Sequence, residues 1–425
     1  MSTITRKFHF QMNELSAFFM YLNFALQGIA SFVIAQQRVH FMYNWDTDFA
    51  GTIWVASAIG WGRLITVIPA GWFSDRFGRK KSILLCMICY VIFFSGLIIS
   101  NSVAMAFAFT FMAGVGNSFI DVGTYPALAD LFPKNVAPAT VILRAAITIG
   151  QFFFPMAVIF IINNDLWFGY TLVAMIALLV INGFFIWGRK DLGYKGSAVK
   201  EQAIATEGKE ELKSAEVVGS KVYGKTNFWI EGILTISLGF TAVATFSLIV
   251  TFLPGFAADY IGMYETAALA LASIYAFAAF FGIFITAAVV AKFLKAPTVL
   301  LIWTSISLTV LVALMMFPTP FMAQVTAVII GLFAAGGLFQ LALSILVSLF
   351  PAGRGKLTSF MSFAAGLQAL IVPMVTAQIV ATNPQHIITF ATIVTAFSVV
   401  SSAVIFVRYK KLTTPPAGVS VEVVV

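Results

Sequence analysis

The fold is decided around one stretch, Gly71-Trp72-Phe73-Ser74-Asp75-Arg76-Phe77-Gly78-Arg79-Lys80-Lys81, which lies between two long apolar runs. Five of its residues are charged and two are glycines, although only 10% of the 425 residues in the chain carry a charge. A charged, glycine-containing segment between two membrane-length runs predicts a tight turn at the membrane surface. We expect this turn to have a mechanical role.

The composition indicates that the surrounding solvent is lipid. Hydrophobic residues make up 60% of the chain, the mean hydropathy is +0.97, and Phe alone occurs 44 times. A span needs about 20 mostly apolar residues, and only helices satisfy every backbone group within such a run. We therefore predict an all-α membrane protein with twelve transmembrane helices (spans 1–12), at 15–37, 48–72, 82–100, 103–131, 138–162, 166–187, 228–253, 266–291, 298–317, 321–349, 357–381 and 386–407.

The distribution of positive charge predicts the topology. The net charge is +8, but of the 25 Lys and Arg residues all except Arg38, Arg63 and Arg144 fall in alternate loops or in the two tails. Cytoplasmic loops carry such an excess of Lys and Arg. Both termini are therefore expected in the cytoplasm. The basic balance reflects topology, and no nucleic-acid partner is expected.

An internal repeat divides the chain into two halves. Leu131-Phe132-Pro133 ends span 4 and is followed by Pro155, just as Leu349-Phe350-Pro351 ends span 10 and is followed, at the same separation, by Pro373. The offset that takes Pro133 to Pro351 also takes the start of span 1 close to the start of span 7. Parallel repeats of this kind place a substrate path at mid-membrane between the halves. The predicted domains are an N-tail (1–14), a six-helix bundle (15–188), a linker (189–227), a second six-helix bundle (228–407) and a C-tail (408–425).

Six plus six helices with G-x-F-S-D-R-F-G-R-K-K between spans 2 and 3 resemble the major facilitator superfamily of secondary transporters. The second-half counterpart, Ala291-Lys292-Phe293-Leu294-Lys295-Ala296-Pro297, keeps two basic residues and lacks the aspartate. Drug/proton antiporters of this superfamily carry an arginine where this chain has Thr110, and a different motif where it has Gly150 to Pro155. Both departures argue against drug export.

Span 4 is similar to fucose–galactose–hexose proton symporters, because Asp121 precedes Pro126 by five residues. Gly62-Arg63-Leu64, the run from Ala113 to Leu128, and Gly150-Gln151-Phe152 resemble bacterial inner-membrane permeases of the YdiM/YdiN type. This resemblance implies a bacterial plasma (inner) membrane, but it names no substrate.

Three charged residues are predicted inside spans: Arg63, Asp121 and Arg144. Such groups are costly in a membrane and usually face a cavity or a partner. An apolar wall favours the neutral acid of Asp121 and a nearby arginine favours its carboxylate, so Asp121 is a candidate proton carrier coupled to Arg63 and Arg144. The alternatives are a static ion pair of Asp121 with Arg63 or Arg144, and an anion clamp formed by Arg63.

The candidate substrate cavity is built from polar residues inside spans. Asn23 and Gln27 lie one helical turn apart, so they are expected on one face of span 1. Unlike many sugar symporters, span 1 has no acidic residue in its core, because Glu14 lies at its edge. Each polar residue either contacts substrate or holds helices together. The predicted set is Asn23, Gln27, Arg63, Asn117, Tyr125, Gln151, Tyr275, Gln340 and Gln368.

The opening stretch is predicted to be a cytoplasmic gate, implied by the resemblance. Asp75 would face the positive end of span 11, which begins near Lys356, and Arg76 and Arg79 would meet Asp130 at the foot of span 4. Gly71 would let span 2 end close to a neighbour. The gate residues are Gly71, Asp75, Arg76, Gly78, Arg79 and Asp130. A purely topogenic cluster would explain the basic residues alone.

These features predict a secondary active transporter that moves a small polar organic solute, either a sugar or an organic or cyclic hydroxy acid, by alternating access with proton coupling. An exporter or uncoupled facilitator is the alternative, and a non-transporting sensor fits least. Because the chain lacks a P-loop and clustered catalytic or metal-binding motifs, no enzyme activity, metal or cofactor is expected. The expected partners are the solute, protons and the lipid bilayer, and the protein is expected to act as a monomer.

Overall fold

The computed structural model describes residues 3–132, 136–189, 223–224, 226–350, 354–382 and 385–414. Within these ranges there is no strand, and eleven helices are long and apolar enough to cross a membrane. A further long helix, Thr3–Ala30, precedes them and has a polar beginning. The prediction of an all-α membrane protein is confirmed. The long helices are α1 Thr3–Ala30, α2 Phe49–Phe77, α3 Arg79–Ile99, α4 Val103–Leu131, α5 Val136–Asn163, α6 Gly169–Gly188, α7 Phe228–Asp259, α8 Glu265–Lys292, α9 Ala296–Met316, α10 Pro320–Leu349, α11 Arg354–Thr382 and α12 His386–Thr413.

The first helix differs from its prediction at both ends. Helix α1 begins within the predicted N-tail and ends at Ala30, whereas span 1 was expected over 15–37. The chain then turns and forms two short helices, Val33–Gln36 and Arg38–Asn44, where a loop was expected. No Gly or Pro marks this turn, and the residues that follow it, Val33 and Ile34, are apolar and buried. Hydropathy alone therefore predicts that span 1 continues through them.

The charged stretch at 71–81 is almost entirely helical, which corrects the expectation of a turn over its whole length. Helix α2 continues through Phe77, and α3 begins at Arg79. Only Gly78 breaks the helix. Its φ is 96°, a backbone conformation that residues other than glycine rarely adopt. The reversal between α2 and α3 therefore depends on a single glycine.

Helix α10 is interrupted near the middle of the membrane, whereas its first-half counterpart α4 is continuous. An α-helical part, Pro320–Ile329, passes into a π-helical stretch, Ile330–Ala335, and α-helix resumes over Leu338–Leu349. A Cβ on Gly336 would come within 2.6 Å of the Gly282 backbone in α8. The glycines thus allow α8 and α10 to touch backbone to backbone, and the break directs the following residues toward the centre of the molecule.

The two halves meet at the end opposite the termini. A Cβ on Gly60 of α2 would lie 2.5 Å from backbone atoms of Ala369 and Leu370 in α11. In another half-to-half contact, the Ser273 hydroxyl of α8 donates to the Phe152 carbonyl of α5 at 2.8 Å. These contacts close one end of the path between the halves.

The halves diverge toward the end that carries the termini. Gly60, Leu64 and Ile68 share a face of α2 because they follow at intervals of four residues. Gly60 and Leu64 contact α11, but Ile68 is 81% exposed. On α11, Phe360 and Phe363 are exposed in the same way. The space between the halves is therefore open toward the termini. Most of the predicted linker (189–227) lies outside the described residues.

Candidate functional site

A cavity of about 250 Å³ lies between the two halves and receives side chains from both. The first half contributes two cations and several polar groups, whereas the second half contributes uncharged polar groups. Its lining includes Gln27, Arg63, Asn117, Arg144, Thr148, Gln151, Ser247, Tyr275, Gln340 and Gln368. This size and mixture of apolar wall and few polar groups suit one small polar ligand.

One face of α5 forms a wall of the cavity. Arg144, Ile147, Thr148 and Gln151 all line it, and their spacing of three and four residues puts them on one side of the helix. The helix can lie close to α1 because Gly150 meets Ala25, whose carbonyl oxygen would clash with a Cβ at this position. The α5 face thus presents a cation, a hydroxyl and an amide to one space.

Arg63 of α2 and Asp121 of α4 form an ion pair, with 2.8 Å between Nη2 and Oδ2. Close helix packing makes the pair possible, because a Cβ on Gly62 would clash with the Phe111 carbonyl oxygen of α4. A Cβ on Gly114 would likewise clash with the Ile59 carbonyl oxygen of α2. Arg63 also lines the cavity, so the pair is in contact with whatever fills it.

Arg144 is in a different situation from Arg63. Its guanidinium carbon lies 5.9 Å from the centre of the Phe339 ring in α10. No carboxylate among the described residues lies within salt-bridge distance of it. Arg144 is thus a cation on the cavity wall that faces an aromatic ring and has no carboxylate partner among the described residues.

The structure brings most of the predicted cavity residues together. Gln27, Arg63, Asn117, Gln151, Tyr275, Gln340 and Gln368 all lie on the wall, and Asn117 accepts a hydrogen bond from the Tyr90 hydroxyl at 2.6 Å. Whether they bind a solute stays a prediction.

Two predicted residues, Asn23 and Tyr125, are not part of the lining. Asn23 is completely buried against α6, where its Oδ1 accepts from Asn182 at 2.8 Å. It therefore holds helices together, although Gln27 one turn on faces the cavity. Tyr125 is 39% exposed and packs edge-on to Phe24, one turn beyond Asp121 toward the termini.

The predicted gate residues lie at the termini end, mostly within the first half. Arg79 pairs with Asp130 and donates to the Pro126 carbonyl at 2.9 Å. Arg76 instead lies over the rings of Trp72 and Phe77, so it does not join Arg79 at Asp130.

Two further gate expectations differ in outcome. A Cβ on Gly71 would meet nothing within 4 Å, so the expectation that Gly71 lies close against a neighbour is wrong for this arrangement of the halves. The expected partner of Asp75 near Lys356 falls on residues 351–356, whose side chains lie outside the described residues. The gate itself therefore stays a prediction.

Sequence reasoning missed one ion pair that joins the halves. Arg38, which was expected in an outer loop, donates from both terminal guanidinium nitrogens to the Asp259 carboxylate at 2.6 and 2.7 Å. Arg38 is 8% exposed, although it lies in a connection rather than a span. Its partner is 221 residues away at the end of α7, so no local pattern predicts the contact. The only signal was that Arg38 is the single basic residue in the loops expected outside.

Comparison with known proteins gives concordant results. Residues 15–308 match the family described as Major Facilitator Superfamily. The inner membrane transport protein YdiN of Escherichia coli (strain K12) is 30% identical over 399 residues, covering 94% of this chain and 91% of that protein. Inner membrane transport protein YdiM of the same strain is 29% identical, covering 93% and 94%. The crystal structure of a D-xylose–proton symporter matches with a TM-score of 0.70 at 15% identity, covering 91% of this chain and 95% of that chain, which shows a similar fold alone.

Proposed function

This chain belongs to the major facilitator superfamily of membrane transporters, and we propose that it moves a small polar organic solute by alternating access with proton coupling. The solute is a sugar or an organic or cyclic hydroxy acid. One observation carries this proposal: a polar cavity between the halves is closed at one end and open at the other. Rocking of the halves about such a cavity would expose it alternately to the two sides.

The Arg63–Asp121 pair supports proton coupling. Asp121 is the only carboxylate paired with a cavity-lining arginine among the described residues. A proton on Asp121 would weaken its hold on Arg63, and Arg63 would then be available to the cavity. Protonation and occupancy of the cavity would thereby influence each other, which coupling requires.

The first experiment finds a ligand. The purified protein is screened by thermal shift against sugars, sugar acids, cyclic hydroxy acids and amino acids, because a ligand that binds only the folded state stabilises it by mass action. The best ligand is then followed as a radiolabelled solute in proteoliposomes with an imposed pH gradient.

The second experiment tests the proton carrier. Asp121→Asn should reduce gradient-driven accumulation by about 100-fold or more, because no second carboxylate among the described residues lines the cavity or pairs with its arginines, while solute exchange without net proton movement continues. Asp165→Asn is the matched control, since it makes the same chemical change on an exposed loop. Full gradient-driven uptake by Asp121→Asn would rule out Asp121 as the carrier. Equal flux with and without the gradient would favour the uncoupled facilitator.

We also propose that both termini face the cytoplasm of a bacterial inner membrane and that the protein works as a monomer. The distribution of Lys and Arg supports the orientation, and the two Escherichia coli relatives support the location. The cavity would then be open to the cytoplasm. Alkaline phosphatase fused after Val425 should be inactive, and light scattering of the purified protein should give one chain per particle.

A further inference from the structure

The charges around the cavity do not balance. Arg63 and Arg144 both line it, and Asp121 is the one carboxylate that contacts either of them within the described residues. With Asp121 ionised, these three groups sum to a single positive charge. A net charge inside a membrane protein is costly unless something neutralises it.

The surplus charge is located at Arg144. Arg63 already donates to Asp121 at 2.8 Å, whereas Arg144 faces the ring of Phe339. An aromatic face stabilises a cation, but it leaves the N–H groups at the guanidinium edge for other acceptors. Those N–H groups are arranged to grip a carboxylate with two parallel bonds.

Neutral polar groups surround this cation. Gln27 is only 8% exposed, and its carbonyl oxygen has no hydrogen-bond donor among the described residues. A buried acceptor without a partner is unfavourable until a donor arrives. Gln151 lies two turns along α5 from Arg144, and Gln340 is adjacent to Phe339. These amides can exchange hydrogen bonds with hydroxyl groups.

We infer that the solute is a singly charged hydroxy acid, whose carboxylate binds Arg144 and whose hydroxyl groups bind Gln27 and the neighbouring amides. This inference rests on the proposed function and chooses between its two solute classes. With Asp121 ionised, one carboxylate neutralises the surplus charge, whereas a doubly charged phosphate would overcompensate and a sugar would leave the charge unbalanced. Arg144 is therefore assigned to solute binding, beyond its predicted part in proton coupling.

The charge of the cavity can be measured without knowing the solute. Gln340→Cys places a thiol on the wall, while the natural Cys86 and Cys89 are buried. The thiol is treated with two methanethiosulfonate reagents, one anionic (sulfonatoethyl) and one cationic (trimethylammonium-ethyl). We expect the anionic reagent to react faster relative to its rate with a free thiol, and Arg144→Gln to lower this preference by about tenfold.

Two controls make this result decisive. Arg144→Lys retains a positive charge and should keep the preference for the anionic reagent. Size-exclusion profiles and melting temperatures of all variants identify any that fail to fold. If Arg144→Gln does not fold, the sign of the preference in Gln340→Cys itself carries the test. A preference for the cationic reagent, or one that is unchanged in Arg144→Gln, would overturn the inference.

Matched solutes separate this inference from the proposed function. D-gluconate is compared with D-glucose, and quinate with myo-inositol, by thermal shift and by flux in proteoliposomes. The acids should bind and move, with affinity reduced at least tenfold in Arg144→Gln, while the neutral partners should do neither. Transport of a neutral polyol that is insensitive to Arg144→Gln would refute the inference and leave the transporter function intact. Binding of an acid without any flux would support the inference and count against alternating access.

Discussion

The two halves have the same architecture but different chemistry. The offset that takes Pro133 to Pro351 relates the helix boundaries of the first half to those of the second within a few residues over most of their length. Along the same offset, Arg63 corresponds to Phe281, Asp121 to Phe339 and Arg144 to Ser362. These three charged groups at the cavity thus all belong to the first half.

The second half contributes a neutral wall. Tyr275, Gln340 and Gln368 line the cavity, and the Gln368 amide donates to the Ser247 hydroxyl at 2.7 Å. The interrupted helix α10 has no equivalent in the continuous α4. The difference indicates that a repeated architecture does not require repeated chemistry, because the charged groups at the cavity lie in one half while both halves supply neutral polar groups.

The largest effect should come from placing an acid in the second half. Phe339→Asp puts a carboxylate beside Arg144, where Phe339 now lies 5.9 Å from the guanidinium carbon. The new pair should occupy Arg144 and weaken solute affinity about 100-fold, the equivalent of roughly 3 kcal/mol for a desolvated charge pair. Calorimetric titration measures it, and Phe339→Asn is the neutral control. Equal affinities in the two variants would contradict the assignment of Arg144.

The second test compares two glycines across the contact between the halves. Gly60→Ala in the first half drives a methyl group against the α11 backbone at 2.5 Å, whereas Gly366→Ala in the second half meets only a Leu64 methyl at 3.4 Å. Overpacking typically costs about 1–3 kcal/mol. We expect Gly60→Ala to slow transport about tenfold and Gly366→Ala less than twofold. The two rates are measured in proteoliposomes with equal protein, and similar rates would argue against closure at Gly60.

A smaller effect should follow from cutting the ion pair between the halves. Asp259→Asn removes the charge that Arg38 contacts at 2.6 Å, and the Asp259 side chain is 38% exposed. A partly exposed pair contributes about 1 kcal/mol, so the population open to the far side should rise about fivefold. The labelling rate of Ser31→Cys on the cavity wall by a reagent added from that side reports this population. Asp165→Asn is again the control, and an unchanged rate would show that the pair does not hold the halves.

The smallest effect is expected at the charged stretch, where the first half retains an aspartate that the second half lacks. Asp75→Asn removes the charge at position 75. The corresponding position of the second half, Phe293, is also uncharged. A charge at a helix end is worth about 0.3–1 kcal/mol. Loss of the Asp75 charge, predicted to face the N-terminal end of span 11, should therefore slow transport about threefold without loss of membrane insertion. Expression level and uptake rate are compared in the same cells. An unchanged uptake rate would leave the stretch with a topogenic role alone.

The fold could be predicted well because its signals are long and repeated. Membrane-length apolar runs, the alternation of basic loops and the constant offset between the halves each act over the whole chain. Local interruptions carried no such signal. The turn after Ala30 contains no Gly or Pro. The break in α10 is marked by Gly331, Gly336 and Gly337, but glycines are frequent in membrane helices and do not by themselves predict a π-helical stretch.

The candidate site was predicted less completely because it depends on how helices are rotated against each other. Asn23 and Gln27 are one turn apart, yet Asn23 faces Asn182 and Gln27 faces the cavity. Helical spacing places both on one side of α1. It does not predict which of the two side chains packs against α6 and which one faces the cavity. The Arg38–Asp259 contact required the position of two elements 221 residues apart.

The single surplus charge of the cavity has an electrical consequence. When the cavity is empty and Asp121 is ionised, Arg63, Arg144 and Asp121 together carry a net charge of +1. In the proposed cycle, a proton on Asp121 and a monoanion on Arg144 add opposite charges, so the loaded transporter carries the same charge as the empty one. Its outward and return steps then move equal charge in opposite directions. A membrane voltage worth about 2.3 kcal/mol per charge at 100 mV would do no net work over the cycle, and uptake would follow the pH difference alone.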